Sequence, residues 1–397
     1  MKIKTLNNQK FALLTLSIIV LFGIYLSLVS GYGSDEDTLP LIGAFESMMG
    51  GETIMASRFT PYPVAEIGIG FLSYQLGSWA ANLATFFFII IGCSFFYLSL
   101  SKKYKLSDLI LFLILCLSNP VLFFDNIEPI DYSWAFVFLA IGTFFLKKKY
   151  FELAVIFFGI SIGARINFIL FIFFIIFFYQ FNYKIKNSRK FFLFLGTFFI
   201  GGLFYLPIWF EHGFGIEWLT AVTPNNQGLT GLLARFFYKT FMSITLLSLM
   251  FISIVFFFFF KKNKIKKFLD FENSKLIFGV IISNLILFFF IPAEMSYLQP
   301  FLICLYYLVY KLVNKKIVYL LIVLNFFSWF VDFDFLNIQY KTEDKCNNVE
   351  ATSADFQFHL NKGRLFEFLG SRDKISCWIH DDSVRSKKIL SGDALKE

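Results

Sequence analysis

Asp35, Glu36 and Asp37 follow one another in the segment Ser34-Asp35-Glu36-Asp37-Thr38-Leu39-Pro40, directly after the first long hydrophobic run of the chain. Carboxylates set against a low-dielectric surface are costly unless they bind a cation or exchange a proton. The stretch continues through Gly50-Gly51-Glu52 to Arg58-Phe59-Thr60-Pro61-Tyr62-Pro63 and Glu66. A second acidic group, Asp125, Glu128 and Asp131, precedes a later apolar run, and Arg165 interrupts another. A carboxylate that takes the proton of a hydroxyl, opposed by a cation that stabilises a departing phosphate, is the equipment of glycosyl transfer from a lipid phosphate. Asp35, Glu36 and Asp37 are candidates for that base, although Asp37 also suits the N-cap of a helix opening at Pro40. Arg58 and Glu66 stand in the same stretch as candidate substrate contacts. Asp131 either caps the helix after it or orients an acceptor or a metal beside Asp35. Carboxylates from two loops supply the oxygen ligands a divalent cation takes.

These residues sit in a chain of 397 residues that is 57% hydrophobic, with 60 Phe against 28 acidic residues and a mean hydropathy of +0.67. Soluble domains average roughly 45–50% apolar, so the composition predicts an all-α polytopic membrane protein. The apolar runs are Phe11–Tyr32, Ile69–Leu100, Leu106–Phe124, Tyr132–Leu146, Phe151–Ala164, Ile166–Phe181, Phe191–Phe210, Leu232–Phe260, Leu276–Ile291, Tyr297–Tyr310 and Ile317–Phe330. At about 20 residues for a full crossing, that makes about eleven segments, several of them short. Residues 1–333 then form a transmembrane body with a long first outer loop at 33–68, and residues 334–397 a small polar C-terminal domain.

Lys and Arg are retained on the cytoplasmic side of short loops. Lys2, Lys4 and Lys10 place the N-terminus in the cytoplasm, and counting from there every basic cluster falls inside: Lys102 to Lys105, Lys147 to Lys149, Lys184 to Lys190, Lys261 to Lys267 and Lys311 to Lys316. Asp35, Glu36, Asp37, Asp125, Glu128, Asp131, Glu211, Glu217 and Glu294 fall outside, as does the C-terminus. The net charge of +8 is therefore an orientation signal and a contact to anionic membrane lipid rather than a sign of nucleic-acid binding, and no nucleic acid is expected as a partner. The first run exceeds the roughly 7–15 residues of a signal-peptide core and reads as a retained helix. Cys93, Cys116 and Cys304 lie in spans as small apolar fillers, whereas Cys346 and Cys377 lie in the outer tail, where a disulfide can persist. His212, His359 and His380 show no ligand spacing, which argues against zinc.

Two local geometries bear on the site. Leu41, Phe45 and Met48 recur at helical spacing opposite Glu46 and Ser47, predicting a short surface helix over Pro40–Met49 that Gly50-Gly51 ends; Pro61-Tyr62-Pro63 then forces extended chain before a helix near Glu66. The paired runs 151–164 and 166–181 are short, because fourteen helical residues rise about 21 Å against a hydrocarbon core of about 30 Å. Their apex, Gly163-Ala164-Arg165, then lies below the outer face, where Arg165 lines a wet cavity or meets an anion such as a lipid phosphate. The alternatives are that Arg165 snorkels outward or pairs with a loop carboxylate.

The order of these features resembles the GT-C superfamily, the polyprenyl-phosphate-sugar-dependent membrane glycosyltransferases that include protein O-mannosyltransferases and lipid A aminoarabinose transferases. In that family an Asp-Glu pair follows the first helix, a surface helix ends in Gly-Asp or Gly-Glu, and a Pro-containing stretch leads into the second helix. Asp35-Glu36, Gly51-Glu52 and Pro61-Tyr62-Pro63 stand in those places here. The family's Asp at the fourth helix is similar to Asp131, its Gly-rich turn with a basic residue to Gly163-Ala164-Arg165, and its late Arg-Tyr-x-x-Pro pattern to Ser296-Tyr297-Leu298-Gln299-Pro300, with Ser where Arg is frequent. The resemblance implies Asp35 as catalytic base with Glu36 and Asp131 beside it, and Tyr297 as a substrate contact. It implies a polyprenyl-phosphate sugar as donor and an extracytoplasmic glycan, glycolipid or protein as acceptor, with inversion at the sugar. Richness in Lys, Asn, Ile and Phe points to an AT-rich coding sequence, and so to the plasma (inner) membrane of a bacterium and a cell-envelope glycan. The rival expectations are a polymerase of lipid-linked oligosaccharide, which would want basic outer loops, and a flippase or transporter of lipid-linked sugar, which would show internal repeats.

Overall fold

The structure, a computed structural model, describes residues 2–32, 41, 43, 45, 48, 49, 62–102, 104–179, 185–212, 228–261, 273–292, 294–341 and 350–371. Helices dominate it: α1 (Lys2–Val29), α2 (Pro63–Leu76), α3 (Ser78–Leu100), α4 (Leu106–Ser118), α5 (Pro120–Phe124), α6 (Tyr132–Lys147), α7 (Phe151–Ala164) and α8 (Phe168–Phe178). They continue as α9 (Asn187–Leu203), α10 (Leu206–His212), α11 (Gly228–Ile244), α12 (Leu246–Lys261), α13 (Ser274–Phe290), a 3-10 turn (Met295–Leu298), α14 (Gln299–Leu312) and α15 (Lys315–Phe330). By length and composition Gln9–Val29 and Ser78–Leu100 can each cross a membrane, and α11 with α12 passes the same test as a pair bent by 85°. Other apolar helices are shorter than a full crossing.

Four of the runs that read as continuous spans are broken, Phe191–Phe210 among them, at Phe204-Tyr205. Ile69–Leu100 breaks at Gly77, whose φ of 91° suits a residue without Cβ. Leu106–Phe124 breaks at Pro120, which lacks the N–H a continuing helix needs, and the Asn119 side chain caps the new helix by accepting from Leu122 N at 3.0 Å. Leu232–Phe260 breaks at Thr245, a β-branched residue held at φ 67°. The Asn119 amide also donates to Ser243 O at 2.9 Å, so one asparagine joins two helix breaks.

The body is a row of helices in which α3 packs on α6, α6 on α7, and α7 on α9. Small residues permit this closeness. A Cβ at Gly159 in α7 would stand 3.2 Å from Gly201 N in α9, and one at Gly92 in α3 would stand 3.3 Å from Val137 Cα in α6. Cys93 in α3, Cys116 in α4 and Cys304 in α14 are buried free thiols, as their setting in apolar runs predicts. At helical positions 41 and 45, Leu41 and Phe45 are buried, and Phe45 meets Phe71 and Tyr74 of α2 at 6.2 and 6.0 Å.

Charge segregates along the helices. α6 begins beside Asp131 and ends at Lys147, about 24 Å away along its axis. Lys147 Nζ donates to Leu98 O at 2.7 Å and Ser101 O at 2.6 Å, meeting the free carbonyls and negative dipole at the end of α3. Lys311, near the end of α14, stands over the rings of Tyr97, Tyr307 and Tyr310.

The chain departs from the all-α expectation after α15. Val331, Phe333 and Phe335 alternate with Asp332 and Asp334, a period-two pattern, and form β1 (Val331–Lys341), which pairs antiparallel with β2 (Glu350–Lys362). Gly363 N then bonds to Phe330 O at 2.9 Å, so the hairpin returns to its origin. α16 (Arg364–Ser371) lies against α5, with Phe368 5.6 Å from Phe124. Leu365 and Phe368 are buried, whereas Phe366 is exposed.

Candidate functional site

The Pro61-Tyr62-Pro63 stretch ends sooner than the sequence predicts, because Pro63, with its φ already helical, starts α2. Glu66 Oε1 reaches back to accept from Tyr62 N at 3.0 Å, closing the helix and placing negative charge at its positive end. This contact points the Tyr62 ring at Arg165. Arg165 follows the last residue of α7, where Gly163 leaves room for Phe204 and Val64 to close in. Asp131 stands at the N-cap position of α6 but makes no side-chain cap bond. Its carboxylate goes to Arg165 instead, since a full charge nearby attracts it more strongly than a backbone amide does.

Arg165 Nε lies 3.0 Å from Asp131 Oδ2, with both side chains 1% exposed. These two atoms are not aligned for a hydrogen bond, so charge holds the contact. Arg165 Nη2 donates to Tyr62 OH at 3.1 Å. The guanidinium carbon stands 3.6 Å from the Tyr132 ring centre, 4.5 Å from that of Tyr297 and 4.6 Å from that of Tyr62. A weakly hydrated planar cation between aromatic faces and a carboxylate is a low-cost way to keep a guanidinium in an apolar interior. Tyr205, also buried, donates to Ile162 O at 2.9 Å one turn before the apex.

The wetter side of this cage comes from the segment before α14. Tyr132 OH donates to Glu294 Oε2 at 3.1 Å, and the Tyr132 and Tyr297 rings meet at 4.9 Å. Glu294, Tyr297 and Asp125 are half-buried, whereas Asp131, Glu66, Glu128 and Tyr132 are buried. A second clamp lies close by in sequence. Ser296 Oγ donates to Asp125 Oδ2 at 2.7 Å, and Arg364 Nη2 from α16 lies 3.2 Å from Asp125 Oδ1. Burial alone would lower the pKa of Arg364, but Asp125, Glu367 and Glu128 outweigh it and hold the guanidinium charged.

Of the residues singled out by sequence, Asp131, Arg165 and Tyr297 meet in one place, and Glu66 supports it through Tyr62. Asp35, Glu36, Asp37 and Arg58 lie outside the described residues, as do Cys346 and Cys377. Arg165 does meet an anion, and the anion is the protein's own Asp131. Among the described residues, no three His, Cys, Asp or Glu side chains are placed to hold a metal. Sequence reasoning passed over Tyr62, Tyr132, Glu294 and Arg364 as members. The proximity of Tyr62 and Tyr132 to Pro63 and Asp131 was a usable signal; nothing local marked Arg364. No family model, curated protein or solved structure matches the chain.

Proposed function

We propose that this chain is a multi-pass membrane glycosyltransferase that moves a sugar, with inversion, from a polyprenyl-phosphate donor to an extracytoplasmic acceptor. The N-terminus is cytoplasmic in this reading, and about eleven segments, several short of a full crossing, form the body. Supporting it is one observation above the others: Asp131, Arg165, Tyr62 and Tyr297, from four separate segments, converge on a buried charged cage at the end of a helix too short to span. Ionisable groups in such a position mark functional sites.

In the reaction, Asp35 takes the proton of the acceptor hydroxyl as its oxygen bonds to the anomeric carbon. The carbon–oxygen bond to phosphate breaks on the opposite face, and its electron pair leaves with polyprenyl phosphate. Arg58 answers the charge of the leaving phosphate, while Arg165, already balanced by Asp131, holds the floor of the site. Turnover of a panel of polyprenyl-phosphate sugars by protein in lipid vesicles tests this, comparing wild type with Asp35→Asn. Release of polyprenyl phosphate by wild type, lost in the variant with folding intact, is expected. Unchanged release in the variant removes Asp35 from the mechanism.

The bend at Thr245 favours a second reading, a flippase or transporter of lipid-linked sugar, since transporters build their sites from discontinuous helices. Lipid translocation without turnover of any donor would decide for it.

A further inference from the structure

The cage has a sealed side and an accessible side, and the two carry different chemistry. On the sealed side the charges of Arg165 and Asp131 cancel within 3.0 Å of each other. Neither can bond a substrate without uncovering its partner, which is expensive in a buried pair. On the accessible side stand Glu294 and, one turn on, the ring of Tyr297, both half-buried. Tyr132 joins the two sides: its ring lies on the Arg165 guanidinium at 3.6 Å and its hydroxyl donates to Glu294 at 3.1 Å. A cation on the face of a phenol draws electron density from the ring and makes its O–H a better donor. Arg165 thereby acts on Glu294 through Tyr132.

We infer that Glu294 and Tyr297 form the wall that grips the sugar of the donor, with Tyr132 as a positioning residue behind Glu294. A carboxylate accepts hydrogen bonds from a pair of vicinal hydroxyls, and an aromatic ring covers the C–H face of a pyranose; the two side by side suit a polyhydroxylated ring. Of the carboxylates around the cage that the structure describes, Glu66, Glu128 and Asp131 are buried and Asp125 is clamped by Ser296 and Arg364, whereas Glu294 is half-buried beside the Tyr297 ring. The inference rests on the transferase reading for the identity of the ligand as a lipid-borne sugar.

The test is the affinity ratio between polyprenyl-phosphate sugars and bare polyprenyl phosphate, measured on the full-length protein in lipid nanodiscs, with turnover measured in parallel. For the preferred donor, Glu294→Gln is expected to lower the ratio by about tenfold to a hundredfold, the range for a hydrogen bond to a charged group, with bare-lipid affinity unchanged. Tyr132→Phe, which keeps the ring on Arg165 and removes only the hydroxyl, is expected to lower the same ratio by about threefold to tenfold. It also provides the reading if Glu294→Gln does not fold. A ratio unchanged in the folded variants overturns the sugar wall and leaves the transferase reading standing. A ratio lowered as expected, in a wild type that translocates but never transfers, keeps the wall and overturns the transferase reading. A wild type with no preference for any sugar overturns both.

Discussion

Arg165 and Asp131 lie thirty-four positions apart in the sequence and 3.0 Å apart in space, each with a side chain 1% exposed. A pair so enclosed is costly to form and far costlier to halve, because removing one member leaves a bare charge in an apolar setting. Asp131→Asn and Arg165→Met are each expected to destabilise the protein by about 3–5 kcal/mol, and the double variant by distinctly less than the sum. Unfolding in detergent, followed by tryptophan fluorescence, measures this. Additive losses would mean that the two charges do not compensate each other.

The clamp on Asp125 is expected to be unequal. Arg364 is 34% exposed, so Arg364→Ala should cost only about 0.5–1 kcal/mol while speeding hydrogen exchange in α16. Asp125→Ala strands Ser296 as well and should cost about 1–3 kcal/mol. Equal exchange in wild type and Arg364→Ala would show that Phe368 and Leu365 alone hold α16.

Close backbone approach between α7 and α9 makes Gly159 intolerant. Gly159→Val is expected to cost about 1–3 kcal/mol through overpacking against Ile200 and Gly201. Gly202, one residue along α9, faces open space, and Gly202→Val should be close to neutral. Thermal midpoints of the two variants, compared in the same detergent, check the difference.

Asn119 joins two helix breaks through bonds to Leu122 N, Ser243 O and Tyr306 OH. Asn119→Ala removes the cap and the donor to Ser243 O, and leaves Tyr306 OH only the longer bond from Asn325 Nδ2 at 3.4 Å, so a loss of about 2–4 kcal/mol is expected. Asn119→Asp keeps the cap acceptor but loses both donations, and its loss should be no smaller. A cost below about 1 kcal/mol for Asn119→Ala would show that the bend at Thr245 is held by other contacts.

Much of the helical framework was legible because each apolar run carries its own instruction. Phe151–Ala164 begins and ends where the sequence places it, and Tyr132–Lys147 within a residue. Hydrophobic length was less informative about continuity. Gly77 and Pro120 are visible as breakers, yet apolar neighbours on both sides mask them, and Thr245 has no breaker chemistry at all; the long-range bonds beside that bend, Asn119 to Ser243 O and Ser248 to Asn325, come from distant segments. The hairpin after Phe330 was missed although its alternation of Val331, Phe333 and Phe335 with aspartates is readable, since polar composition dominates the tail.

The sequence by itself determined that apolar helices dominate the protein, because hydropathy acts residue by residue and needs no partner. It also marked Asp131 and Arg165 as unusual, since an ionisable group in or beside an apolar run is conspicuous wherever it packs. Tertiary structure alone decided that these two neutralise each other, that Tyr62, Tyr132 and Tyr297 enclose them, and that Glu294 stays half-buried beside Tyr132 and Tyr297. Pairing, stacking and residual exposure are properties of distances between segments. A linear sequence lists the groups that can make those contacts, and packing selects which of them meet.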